Sequence, residues 1–144
     1  MVTSSETVLI ARPPAEVFAF TCNLNHEARW DTEVYSVSCG DESGIEAGRR
    51  YDATFRPFLA ESEGTITPLE IVPGERVVLQ ADFAGLTTRI TYSYAEEASG
   101  TRFTRDVSVA PTGMMRVVSP FVTRRVRRCN RRDVANLKRV LEAG

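Results

Sequence analysis

The stretch VLIARPPAEVFAFTCNLNHEARWD, Val8 to Asp31, sets the order into which the rest of this chain falls. A β-branched and aliphatic run, Thr7 to Ile10, predicts a short strand, and Pro13-Pro14 ends it because proline has no N–H to lend to a sheet ladder. Pro14 suits the first turn of a helix, where the N–H is unbonded anyway. Val17, Phe18, Ala19 and Phe20 then give that helix a buried face. Asn23 is placed to cap a second brief helix through Ala28, expected to be exposed, and the only tryptophan, Trp30, follows it.

Outward from Trp30 the sequence changes period. Val34, Tyr35 and Val37 begin a strand series punctuated by turn residues at Gly40-Asp41 and Ser43-Gly44, at Pro73-Gly74 and at Ser99-Gly100. Tyr51, Ala53 and Phe55 alternate with polar residues, as do Ile90, Tyr92 and Tyr94, and then Phe103, Val107 and Val109. A period of two with one polar face predicts antiparallel strands covered on one side only. Pro68, inside the run Gly64 to Val72, predicts a bulge or an edge position.

The last third is helical. Ser119-Pro120 reads as an N-cap followed by proline at the first helical position, and no glycine or proline interrupts the chain from there to Leu141. Met114 to Val118 is expected to add a shorter turn before it. On a helical wheel Val118, Val122, Val126, Cys129, Leu137 and Val140 share one face. Arg124, Arg125, Arg127, Arg128, Arg131, Arg132, Lys138 and Arg139 share the other. The expected architecture is α+β: one domain over residues 1–144, in which a curved sheet grips a long helix with a cavity between them.

Composition bounds the function. The chain of 144 residues is 42% apolar and 26% charged, ordinary for a globular domain able to bury a core. No apolar run approaches the roughly 20 residues of a membrane span, and no basic region precedes an apolar stretch at the N-terminus. A cytoplasmic protein without stable membrane insertion is therefore expected. Cys22, Cys39 and Cys129 stand far apart, which excludes a disulfide framework and CxxC-type metal or redox motifs. Cys129 is the one thiol whose arginine-rich surroundings could lower its pKa. Residues 1–111 carry 17 acidic and 9 basic side chains, whereas residues 112–144 carry 9 basic and 2 acidic. Of the 18 basic residues 17 are arginine, a skew typical of GC-rich coding.

The chain resembles the START-like (SRPBCC) superfamily, and within it the polyketide cyclase/dehydrase and lipid-transport family. The resemblance rests on Pro14-Ala15-Glu16-Val17-Phe18, Trp30-Asp31, Pro73-Gly74-Glu75-Arg76-Val77-Val78, Gly100-Thr101-Arg102-Phe103-Thr104, and Asn136-Leu137-Lys138 with Leu141-Glu142. It implies a helix-grip fold of about seven antiparallel strands, two short helices and a long C-terminal helix. It also implies a cavity for a small apolar or aromatic molecule, with some relatives cyclising or dehydrating polyketides and others only carrying ligands. Such a scaffold hosts many functions, so activity must be argued from the site.

Asp133 is the sharpest anomaly. It interrupts the apolar stripe between Cys129 and Leu137, and no basic residue lies three or four positions away. A carboxylate facing the sheet needs a partner or a raised pKa. Arg105, which alternation places on the same face as Phe103 and Val107, is the natural partner. The pair has two readings, a polar wall of the cavity or a structural ion pair. Trp30, Tyr51, Phe55, Phe58, Tyr92, Tyr94, Met114, Met115 and Phe121 complete the candidate ligand-binding set, with Asp133, Arg105 and Tyr92 the catalytic candidates. Most of these aromatic residues are equally readable as plain core.

His26, the only histidine, has no Cys, His or carboxylate at ligand spacing, and nothing ties it to a Ser-His-Asp set. No phosphate loop or dinucleotide fingerprint is present. Neither a metal nor a cofactor is expected. Binding or transport of a small hydrophobic ligand ranks first, and an aldol-type cyclase or dehydratase is the enzymatic alternative. A third reading is an interaction module that uses the arginine face on an acidic partner, RNA or anionic lipid. That face lacks interleaved aromatics for base stacking, so nucleic acid is not expected. Solvation, pairing with carboxylates such as Glu61 or Glu63, or contact with a second copy in a homodimer are the simpler roles.

Overall fold

The structure, a computed structural model, describes residues 2–39, 45–111 and 119–144. Strand β1 (Val2–Ile10) leads into helix α1 (Pro14–Thr21) and a 3-10 helix (Leu24–Arg29). Six strands follow: β2 (Val34–Val37), β3 (Tyr51–Phe58), β4 (Glu61–Val72), β5 (Arg76–Phe83), β6 (Leu86–Glu97) and β7 (Gly100–Pro111). The chain ends in the long helix α2 (Ser119–Ala143). All seven strands join one antiparallel sheet in the order β1-β7-β6-β5-β4-β3-β2. This is the curled seven-stranded α+β helix-grip architecture that the strand pattern and the resemblance implied.

The start of the chain differs from expectation in extent. β1 begins at Val2 rather than Thr7, because the polar residues Thr3 to Glu6 pair in unbroken register with Asp106 to Ser108 and Arg105 on β7. An edge strand with one wet face tolerates such residues. The proline signals hold as stated: Pro14 stands at the start of α1, and the β4–β5 register slips between Pro68 and Glu70. A second slip, between Thr54 and Phe58, bends β3 against β4. Bulges of this kind increase local twist, and here they curl the sheet into a half-barrel. Gly64 permits the tight curl, since a Cβ there would collide with the Asp82 carbonyl and crowd the Phe55 ring. The turn expected at Gly40 to Gly44 and the helical turn expected at Met114 to Val118 lie outside the described residues.

The concave face carries the core. Tyr51, Ala53 and Phe55 of β3, Leu79 and Ala81 of β5, Ile90, Tyr92 and Tyr94 of β6 and Phe103, Val107 and Val109 of β7 are all buried. Helix α2 closes this face with Val122, Cys129, Val134, Leu137 and Leu141. Burying each large aliphatic side chain contributes about 1.5–3 kcal/mol, so this stripe, not helix propensity, holds α2 down. Two polar residues, Asn130 and Asp133, are buried in the same stripe.

Candidate functional site

Between the sheet and the N-terminal half of α2 lies a cavity of about 140 Å³. Its walls are apolar: Phe55, Ile66, Leu79, Ala81, Phe83, Leu86, Ile90, Val107 and Val109 from the strands, and Val122, Val126 and Cys129 from the helix. Glu33, Phe58 and Arg125 stand together on its rim, where Arg125 donates from Nε to Glu33 Oε1 at 2.6 Å and lies 4.7 Å from the centre of the Phe58 ring. An apolar cavity of roughly 150 Å³ is large enough to hold a benzene molecule.

One end of the cavity is polar, and it is built from four separate elements. The 3-10 helix and the turn after it supply Glu27 and Asp31, β7 supplies Arg105, and α2 supplies Asn130 and Asp133. Arg105 is central. Its Nη2 donates to Asp31 Oδ2 at 2.8 Å, and its Nη1 donates to Asp133 Oδ2 and Asn130 Oδ1, both at 3.2 Å. The Trp30 and Tyr92 rings pack against the guanidinium, with centroids 5.3 and 5.9 Å from Cζ. Asp133 also accepts from the Thr32 N–H and hydroxyl, at 3.0 and 2.9 Å. The Asp133–Arg105 pair read from the wheel is therefore present, within a larger cluster that the wheel could not show.

Three carboxyls share a single guanidinium, so the cluster does not ionise freely. Burial works against the charge of Arg105, but Asp31, Tyr92 and Asp133 hold it protonated. Burial, and after it Asp31, pushes Asp133 up to about 8, against the opposing pull of Arg105 and Thr32. Glu27 is pushed up to about 8, first by burial and then by Asp31. Its one hydrogen bond comes from the Tyr92 hydroxyl, which donates to Oε2 at 2.7 Å. Burial and Glu27 together keep that phenol neutral. With no cation bonded to it, Glu27 keeps its proton at neutral pH.

The candidate ligand-binding residues fall into separate groups. Phe55, Phe58, Arg105 and Asp133 line the cavity. Trp30 and Tyr92 are buried behind it, supporting Arg105 and Glu27. The Tyr94 hydroxyl bonds Thr21, the Tyr51 hydroxyl accepts from the Glu46 N–H at 3.0 Å, and neither residue lines the cavity. Phe121 is 71% exposed, one turn outside the rim. Met114 and Met115 lie outside the described residues.

Glu27 was missed because its helix reads as an exposed polar turn. Leu24 and Glu27 are in fact its two buried positions, three residues apart as 3-10 geometry requires. The i, i+3 pairing with a leucine was the available signal. His26, between them, stacks on Phe20 and places Nδ1 3.1 Å from the Phe20 carbonyl. Cys129 corrects a second expectation: burial, with Glu33 and Asp133, pushes its thiol up to about 11, outweighing Arg125 and Arg132. No cluster of metal-ligating side chains occurs among the described residues.

The outer face of α2 is solvated. Arg124, Arg127, Arg128, Arg131 and Arg132 form no ion pair among the described residues, and Glu61 and Glu63 do not reach them. No helix among those residues is long and apolar enough to cross a membrane.

A curled antiparallel sheet closed by a C-terminal helix over an apolar cavity defines a helix-grip domain. The chain belongs to the polyketide cyclase / dehydrase and lipid transport family, whose model matches residues 1–142. Its fold is similar to that of BH1534 from Bacillus halodurans, with a TM-score of 0.75, 19% identity, and coverage of 99% of this chain and 98% of that one. DR_A0006 from Deinococcus radiodurans is also similar, with a TM-score of 0.69, 17% identity, and coverage of 100% and 99%. DynU16, from the dynemicin biosynthetic locus, matches all of this chain over 48% of its own length, at 18% identity and a TM-score of 0.67. At such identities the likeness speaks for the fold alone. No curated protein matches the chain.

Proposed function

We propose that this protein binds a small, largely apolar ligand in the cavity between sheet and α2. The observation that carries this reading is the cavity itself, with an apolar wall and a single polar end formed by Glu27, Asp31, Arg105, Asn130 and Asp133. A few convergent polar groups in an apolar pocket orient a ligand that hydrophobic burial holds. Its volume of about 140 Å³ suits one ring or a short chain, and a fused multi-ring molecule would project past Phe58 and Arg125 at the rim. Family membership agrees with this reading. Calorimetric titration with single-ring hydrocarbons and ketones tests it: binding with a negative heat-capacity change is expected, and no binding across such a panel would refute it.

An aldol-type cyclase or dehydratase is the second reading, favoured by the presence of both Glu27 and Asp133 in the cavity wall. An acid held against a ketone oxygen, with a carboxylate near the α-carbon, would promote enolisation. Protein-dependent deuterium exchange at the acetophenone methyl group in D₂O is the expected signature. Exchange no faster than in buffer leaves a binding protein only.

A further inference from the structure

Glu27 is 1% exposed and lines the cavity, yet its Oε1 has no hydrogen-bond partner. Its other oxygen is held by Tyr92. The Tyr92 hydroxyl is the donor in that bond, so the carboxyl proton resides on the unpartnered oxygen. Arg105 Nε is a second buried donor without a partner in a residue of the same wall. Buried polar atoms are rarely left unpaired, and unpaired donors call for an acceptor. That acceptor is neutral: Asp31 and Asp133 already engage the one guanidinium of this wall, and a further anion would add a buried charge with no free counter-ion.

Resting on the proposed ligand-binding role of the cavity, we propose that Glu27 is its specificity-determining hydrogen-bond donor, selecting ligands that carry a neutral carbonyl group. Tyr92 is the positioning residue, fixing the carboxyl so that its proton faces the ligand. The groups facing Glu27 are Tyr92 from β6, Arg105 from β7, Asp31 beyond the 3-10 helix and Asp133 from α2. Burial raises Asp133 to the same range as Glu27, near 8.

The test uses three probes of similar size, ethylbenzene, acetophenone and benzoate, titrated into the intact protein and into Glu27→Leu and Glu27→Gln variants. Glutamine retains a donor and an acceptor, whereas leucine retains neither. At pH 6.5 the affinity of acetophenone relative to ethylbenzene is expected to fall roughly 3- to 10-fold in Glu27→Leu and to persist in Glu27→Gln. Benzoate is expected not to bind. In the native protein the same ratio falls as the pH rises through about 8 and Glu27 loses its proton, whereas Glu27→Gln keeps it. A ratio equal in the native protein and Glu27→Leu, or one independent of pH in the native protein, overturns the inference while leaving ligand binding intact. Failure of every probe to bind overturns both. If Glu27→Leu does not fold, the pH comparison with Glu27→Gln decides alone.

Discussion

Helix α2 presents two faces that treat charge in opposite ways. Its inner face carries one buried carboxyl, that of Asp133, which is engaged by Thr32 and Arg105 against the sheet. Its outer face carries Arg124, Arg127, Arg128, Arg131 and Arg132, all exposed and without ion-pair partners among the described residues. The inner charge is few in number and fully wired, whereas the outer charge is plentiful and solvated. Water screens the second set almost completely and the first hardly at all, so effects on stability belong to the inner face.

The largest expected effect is at the centre of the wiring. Arg105→Met leaves Asp31 and Asp133 buried with no counter-charge and should cost about 3–5 kcal/mol, read from chemical denaturation. Asp133→Asn keeps an acceptor for Thr32 but turns an amide toward the Arg105 donors, and about 1–3 kcal/mol is expected by the same measurement. A loss for Asp133→Asn equal to that of Arg105→Met would show that Asp133, not Arg105, organises the cluster.

Glu27 should be visible as a slope. Its carboxyl keeps a proton to about 8 in the folded chain but ionises near 4.5 when unfolded. Between those values the folded state binds more protons, so stability is fully present below pH 4.5 and falls as the pH rises towards 8. Glu27→Gln should flatten that fall and be the more stable protein at pH 8, with Asp133 supplying the slope that remains. An unchanged slope would place Glu27 in contact with water.

The smallest effect is expected outside. Arg128 lies within one turn of Arg124, Arg131 and Arg132, and like charges at that spacing cost about 0.2–0.5 kcal/mol per pair. Arg128→Gln relieves three such pairs and should therefore raise the melting temperature slightly, by at most about 0.6–1.5 kcal/mol in stability at low salt, and the gain should vanish in high salt. A loss of stability would mean that this face has a structural role.

Much of this contrast was legible in the residues. The period of two in Tyr51 to Phe55 and Phe103 to Val109 revealed the concave face, and the interrupted stripe of α2 exposed Asp133. Arg105 followed from alternation alone. Distances between elements were not legible: that Trp30, Tyr92 and Tyr51 stand behind the cavity rather than in it depends on the curl of the sheet, which bulges at Pro68 and Thr54 create. Glu27 escaped notice because a six-residue 3-10 helix is too short to show a period. Its burial is decided by Tyr92, 65 residues away.

Methyl-resolved NMR of the intact protein titrated with acetophenone at pH 6.5 tests the central claim most directly, that the cavity is a ligand site with its polar end at Glu27 and Arg105. The expected result is saturable shifts at the methyl groups of Ile66, Leu79, Ile90, Val107, Val109 and Val122, with those of Val2 and Leu9 unmoved. Shifts scattered over the surface, or none at saturating ketone, would contradict it.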